Sequence, residues 1–281
     1  MRAAAAVVLA VGAGLIAWAL LRRDAATGLD WRGHIEDLRR RVLVSLGAVL
    51  AVTAFLFSFR WPAGAWWPTP AVQHNLAAQA FQRLATDLVP EGVRLVVVRP
   101  MDGFMAEMTV AFGLGVVLAS PIVLWQLGGF FTPALRPAER RALRMLFVPA
   151  LGLFLLGAAF AYFWVLPFLL ATLYSYGTAL GAEPLLQVSE LISFTVGLVL
   201  VLGLAFQTPL VMYGLSRAGI VRAGTWTKYW RHAVVVIFLA SAIVTDPTVV
   251  SQVMVAVPLL LLYGLGIMLA RGGERGRSPS P

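Results

Sequence analysis

Apolar residues run along this chain in long blocks separated by short polar stretches. A bilayer core about 30 Å thick needs roughly 20 apolar residues in a helix. Seven blocks approach or reach that length: 3–21, 42–59, 105–128, 145–169, 191–215, 232–245 and 248–270. The last two are joined by a tight turn around Asp246 and Pro247. The block 232–245 is the short one, about 21 Å at 1.5 Å per residue. Such a span either thins the bilayer locally or borrows interfacial residues such as Trp226 and Tyr229, with Lys228 and Arg231 snorkelling. Pro121, Pro209 and Pro258 fall inside blocks, where each removes a backbone hydrogen bond and bends the helix, which favours a concave bundle.

The longest polar interval, 60–104, has its own pattern. Leu76, Ala80, Phe81, Leu84 and Leu88 recur at helical spacing, with Asn75 placed to cap the start and Pro90 to end it. This predicts an interfacial amphipathic helix. Leu95 to Val98 reads as strand-like, and Asp102 can cap the helix that follows. No internal repeat stands out. The tail 271–281 is Gly, Arg, Glu, Ser and Pro without apolar periodicity, which predicts disorder.

Composition agrees with a chain mostly in lipid. Of 281 residues, 60% are apolar and 12% charged, against roughly 25% charged in a soluble domain. The net charge of +9 would point to nucleic acid if it lay on one soluble face. The basic residues instead cluster at the ends of apolar blocks, where they set orientation and meet the lipid bilayer. No nucleic-acid partner is expected. The loop 129–144 holds Arg136, Arg140, Arg141 and Arg144, the loop 171–190 has no Lys or Arg, and 216–231 holds Arg217, Arg222, Lys228 and Arg231. Alternation of this kind is the imprint of the positive-inside rule. With Arg39 to Arg41 cytoplasmic, both heavy loops and the tail carrying Arg271, Arg275 and Arg277 are cytoplasmic as well, and six core spans run with both ends inside.

Residues 1–30 form a separate segment. The block 3–21 is Ala-rich, and Ala17 and Ala19 offer a small-x-small cleavage site. Cleavage would leave Arg22 to Arg41 outside and break the alternation. The charge pattern favours an extra N-terminal hydrophobic helix, or a start site assigned too early. The expected architecture is an all-α polytopic membrane protein, a six-helix concave bundle with Pro-bent helices over 31–270.

Catalytic chemistry finds little support. No GxxxxGK[ST] loop exists, and His34, His74 and His232 lie in different segments without ligand spacing. Zero Cys removes disulfides, thiolate metal sites and a Cys nucleophile. No catalytic residue, metal or cofactor is expected.

What remains is positional. Residues 34–41 read HIEDLRRR, placing Glu36, Asp37, Arg39 and Arg41 on a short amphipathic stretch before the first core span. Residues 119–144 read ASPIVLWQLGGFFTPALRPAERRALR, a Pro-bent span followed by a loop with one carboxylate, Glu139, among arginines. These blocks resemble the TatC family, the signal-recognising subunit of the twin-arginine translocase, whose patterns there are HLxELRxR and FxxPaLyxxERR. The resemblance continues through GAAFAYFWVLPF (157–168), SFTVGLVLVLGLAFQTPLVMYGLSRAGIV (193–221) and VTDPTVVSQVMVAVPLLLLYG (244–264). It spans about 33–270 and leaves out 1–30.

The resemblance implies docking of folded proteins through twin-arginine signal peptides on the cytoplasmic face of a bacterial or archaeal inner membrane. It implies TatA- and TatB-type partner subunits, self-association in a larger complex, and transport driven by the proton-motive force. Asp37 takes the place of the family's amino-terminal acid, with Glu36 beside it, and Glu139 matches the acid of the first loop. Arg39 and Arg140 complete the implied signal-peptide site. A guanidinium pair independently favours carboxylates, through charge-assisted and bidentate hydrogen bonds. The alternative is that these acids pair with their own neighbours, Arg39 to Arg41 and Arg140 to Arg144.

Departures from the family are specific. The membrane-embedded Glu of FExP is Gln207 here, followed by Pro209; Gln207 offers a donor and an acceptor but cannot carry a proton. The TPPD turn becomes Thr245, Asp246, Pro247 and Thr248. The Glu often found after the last LY is Gly264, and a basic residue common early in the second core span is Thr109, two residues after Glu107. Gln207, Pro209 and Thr248 are the candidate partner-docking residues. A secondary transporter of a small solute would need polar groups at mid-bilayer. The spans offer chiefly Gln126, Gln207 and Gln252 for that. A purely structural membrane subunit is the third reading.

Overall fold

The computed structural model of the chain describes residues 31–62, 67–71, 74–90, 92–131, 146–179, 181, 185–217, 219–245 and 248–275. The block 3–21, Glu139, Arg140, and the turn at Asp246 and Pro247 lie outside the described residues. The fold divides into two compact units, one of 1–87, 96–133 and 187–196, the other of 88–95, 134–186 and 197–281. Five helical stretches are long and apolar enough to cross a membrane: Glu36–Ser58, Asp102–Gly129, Phe147–Gly177, Val188–Arg217 and Val249–Glu274. Trp230–Val244 is a sixth apolar helix, shorter than these. The chain is an all-α multi-pass membrane protein.

In the first unit, helix α1 covers Trp31–Ser58. It begins well before the apolar block, so Glu36, Asp37 and Arg39 belong to the spanning helix itself and not to a separate stretch ahead of it. Residues 34–46 contain no Gly or Pro to stop the helix, and Asp37 and Arg41 support it as an i,i+4 pair. Strands β1 (Phe59–Arg60) and β2 (Thr69–Pro70) form an antiparallel ribbon in which Phe59 faces Pro70 and Arg60 faces Thr69. Helix α2, Leu76–Leu88, forms where the apolar spacing predicts it, but of the predicted stripe only Leu88 is buried, with Leu76, Ala80, Phe81 and Leu84 half-buried; Ala77 and Ala78 are buried instead, whereas Gln82, Arg83, Thr86 and Asp87 are exposed. Asn75 caps it, its Oδ1 accepting the Ala78 N–H at 2.7 Å, and its amide also reaches Glu107 Oε2 at 3.3 Å.

Strand β3 (Arg94–Val96) precedes helix α3, Asp102–Phe131. The cap expected of Asp102 is made backwards: its Oδ2 accepts the Arg99 N–H at 2.8 Å, tying the preceding turn to the helix as in a capping box. The same oxygen accepts Gln187 Nε2 at 2.8 Å. Helix α3 packs antiparallel to α1. Phe57 meets Phe104 edge-on at 5.6 Å, Thr53 and the Val49 carbonyl fill the space a Cβ would need at Gly115, and the Arg41 guanidinium does the same at Gly129.

In the second unit, helix α4 (Phe147–Phe160), a π-helical segment (Ala161–Val165) and helix α5 (Leu166–Ala179) form one continuous run. Pro167 explains the wide turn: it cannot donate to Phe163 and its ring crowds that carbonyl, so the helix shifts to i−5 bonding, with the Leu166 N–H on the Ala161 carbonyl. After strand β4 (Leu185–Gln187), helix α6 runs over Val188–Ala205, with residues to Val196 counted in the first unit and the rest in the second, and α7 runs over Thr208–Arg217. The single block 191–215 is thus broken at Phe206 and Gln207.

Gly157 lies against the Leu202 carbonyl and the Phe206 ring, and Gly203 against the Phe154 ring, so α6 packs antiparallel to α4. Helix α8 (Ala223–Lys228) leads into α9 (Trp230–Val244) and α10 (Val249–Arg275). Helix α10 runs parallel to α7, with Gly266 against Met212 and Pro209, and Gly273 against the Tyr213 ring. Disorder from 271 is corrected here: α10 continues through Arg275, because Glu274 Oε2 accepts the Ala223 N–H at 3.3 Å and Arg271 donates to Thr227 Oγ1 at 3.1 Å. Residues 276–281 lie outside the described residues.

Candidate functional site

The first group of predicted site residues sits on the opening turns of α1. Asp37 and Arg41 share one face, with Arg41 Nε 2.7 Å from Asp37 Oδ2 and the two side chains 31% and 25% exposed. The far end of the Arg41 guanidinium lies where a Cβ would stand at Gly129. A side chain at 129 would displace the free end of Arg41. The end of α3, from which the loop 132–145 departs, is therefore held beside the acids of α1. Glu36, Arg39 and Arg40 are exposed on the same turns. Glu139 and Arg140, which the sequence assigns to this site, lie outside the described residues.

The Asp37–Arg41 pair matches the alternative in which an acid pairs with its own neighbour. Such an exposed pair stabilises by about 0–1 kcal/mol. A carboxylate offers about four acceptor positions, and Arg41 Nε occupies one of them on Asp37. A second guanidinium can share the carboxylate or compete for it at little cost. Glu36 has no ion pair among the described residues.

The second group separates into different jobs. Gln207 donates from Nε2 to the Ala150 carbonyl of α4 at 3.0 Å, so its amide serves its own bundle. Thr208 Oγ1 donates to the Ala205 carbonyl at 2.7 Å, the carbonyl that Pro209 leaves without a backbone donor. Pro209 is buried against Gly266. Thr248 caps the start of α10: its hydroxyl donates to Ser251 Oγ at 2.8 Å and accepts the Ser251 N–H at 3.4 Å. Gln207 and Pro209 mark the α6–α7 break, whereas Thr248 belongs to a helix start.

Sequence reasoning missed a polar cluster at the end of the second unit. Trp226 Nε1 donates to Ser216 Oγ at 3.0 Å, Tyr263 Oη donates to the Trp226 carbonyl at 2.9 Å, and Arg217 donates to Tyr213 Oη at 3.0 Å. The Arg217–Tyr213 bond is an i,i+4 pair within α7, but no spacing signals the other two, whose partners come from different elements. The π-helical segment was also missed, although Pro167 was its signal.

Residues 33–258 match the family described as "Sec-independent protein translocase protein (TatC)". The chain is 36% identical over 249 residues to a protein of that name from Cenarchaeum symbiosum, covering 86% of this chain and 94% of that one. It is 34% identical over 246 residues to one from Aquifex aeolicus, covering 86% and 95%. A Helicobacter pylori relative of the same name is 32% identical over 244 residues, covering 86% and 87%. The fold is similar to a crystal structure of a twin-arginine translocase receptor, TatC, with a TM-score of 0.70 and 33% identity, over 85% of this chain and 99% of the other.

Proposed function

The chain belongs to the TatC family of Sec-independent protein translocase proteins, as a multi-pass subunit of that transport system, and from this premise we propose that it is the receptor for twin-arginine signal peptides. Folded cargo docks through its signal peptide, which is held by residues 36–41 of α1 and by the acid of the loop 129–144. One guanidinium of the signal pairs with Glu36 and Asp37, the other with Glu139. Arg41 holds Asp37 and packs on Gly129, and Arg39 and Arg140 orient the two acidic segments. This face is cytoplasmic, as the arginine distribution of the loops requires under the positive-inside rule. TatA- and TatB-type subunits then assemble on the membrane face near the α6–α7 break, and the proton-motive force drives passage. Gln207 has no titratable proton, so coupling does not run through protonation of this position.

One observation carries the reading: the Arg41 guanidinium fits against Gly129 while ion-paired to Asp37. That contact holds the acids of α1 beside the root of the loop containing Glu139. The test is photo-crosslinking from a probe at residue 139 to a twin-arginine signal peptide, with a twin-lysine peptide as control. The expected result is a crosslink to the first and not the second. Equal capture of both peptides, or unchanged affinity in the double variant Asp37→Ala with Glu139→Ala, would show that these acids are solvated surface charges.

A further inference from the structure

At the other end of α1 the first unit carries a polar groove of about 460 Å³, lined by Arg60, Trp61, Pro62, His74 and Gln79. Its walls are fixed by backbone. The β1–β2 ribbon sets Arg60 opposite Thr69, and the Ala71 N–H bonds the Ser58 carbonyl at 2.9 Å. Gln79 Nε2 bridges the Trp61 carbonyl at 3.2 Å and the His74 carbonyl at 3.4 Å, joining the two rims. His74 holds a left-handed backbone, φ 55°, which side-chain-bearing residues seldom adopt and which clusters at binding sites.

The chemistry of the lining is one-sided. Arg60, the His74 imidazole and the Trp61 indole offer donors, and no carboxylate lines the groove among the described residues. Gln79 spends its amide hydrogens on the two carbonyls. No ion pair engages Arg60 among the described residues. Donors without acids select an anion, and a guanidinium selects phosphate geometry in particular.

Position identifies the source of that phosphate. The apolar span ends at Ser58, and Arg60 stands about 7 Å further on at roughly 3.3 Å per extended residue. The headgroup layer occupies about 5–7 Å on each side of the hydrocarbon core. Trp61 is the amphipathic residue favoured at that level, and the Phe57–Phe104 pair lies just below on the apolar side. We propose that this groove is a binding site for the phosphate of an anionic phospholipid, with Arg60 as its principal ligand and His74 as its second donor.

The test uses the full chain purified in detergent and titrated separately with phosphatidylglycerol, phosphatidylcholine and inorganic phosphate, with bound adducts counted by native mass spectrometry. Phosphatidylglycerol should bind in preference to phosphatidylcholine, and Arg60→Gln should weaken its binding about tenfold through loss of a charge-assisted contact. Arg60→Lys, which keeps the charge but not the guanidinium fork, should bind between the native chain and Arg60→Gln, and Arg94→Gln, which removes a cation outside the groove, should leave binding unchanged. Phosphatidylglycerol binding unaltered in Arg60→Gln overturns the site. Retention of inorganic phosphate as strongly as of the lipid overturns the lipid as its source.

Discussion

Two proline-containing spans, α3 and α6–α7, meet the same local problem and end differently. In α3, Pro121 cannot serve the Val117 carbonyl, and Ser120 Oγ donates to it at 2.7 Å. In the second unit Pro209 cannot serve Ala205, and Thr208 Oγ1 donates to that carbonyl at the same 2.7 Å. Yet α3 runs unbroken from Asp102 to Phe131, while α6 stops at Ala205 and α7 restarts at Thr208. The surroundings account for the difference. Close approaches at Gly157 and Gly266 grip Leu202, Phe206, Pro209 and Met212, and Gln207 is bonded to Ala150. On α3 the tight glycines are Gly113, Gly115 and Gly129, all more than a turn from Pro121. Proline permits a break; neighbouring helices decide whether it opens.

The comparison is tested most severely by Gly157→Ala, whose Cβ would stand 2.7 Å from the Leu202 carbonyl and 2.8 Å from the Phe206 ring. Backbone cannot rotate aside, so a loss of about 3 kcal/mol is expected, read from thermal unfolding in detergent. A negligible shift would mean that the break is not gripped by α4. Next come Thr208→Val and Ser120→Ala, each expected to cost about 1.5 kcal/mol by leaving a carbonyl unserved. Their equality is the point. If only Thr208→Val destabilises, the two prolines do not share one device.

Gly113→Ala should cost less than Gly157→Ala, about 1 kcal/mol, since the obstruction is the Val196 side chain and no backbone atom. The same assay checks it, and a cost equal to that of Gly157→Ala would remove the distinction between side-chain and backbone obstruction. Smallest in stability is Gln207→Leu, about 0.6 kcal/mol, typical of a polar contact between membrane helices. Under the proposed role of the α6–α7 break it should also reduce copurification of TatA- and TatB-type subunits without weakening signal-peptide binding, whereas Gln207→Glu, the family's usual residue, should be tolerated. Copurification at wild-type yield in Gln207→Leu would leave Gln207 with a structural role alone.

Hydropathy revealed the five long spans by length and the shorter Trp230–Val244 by its apolar run, and the cap at Asn75 and the stop before Pro90 were legible because both act within a few residues. The start of α1 was placed too late for a related reason: charged residues such as Glu36 and Arg39 end an apolar block without ending a helix. Disorder was assigned to residues 271–275 because their order depends on partners about fifty residues away in sequence. In the candidate site, the Asp37–Arg41 pair is readable as an i,i+4 spacing. The seat of Arg41 on Gly129 is not, since a glycine far along the chain carries no mark of what fills its missing side chain.

The bond from Ala223 to Glu274 joins residues 51 apart in sequence. During translation at roughly 5–20 residues per second, the ribosome needs about three to ten seconds to make the chain between them. Through that interval the α8 segment waits without the acceptor for its first amide, without the Tyr263 hydroxyl on Trp226, and without Arg271 on Thr227. This part of the newborn protein is thus finished last, and a chain terminated after Leu269 would lack Glu274 and Arg271 for good, leaving the segment before α9 more open to proteases than in the full-length protein.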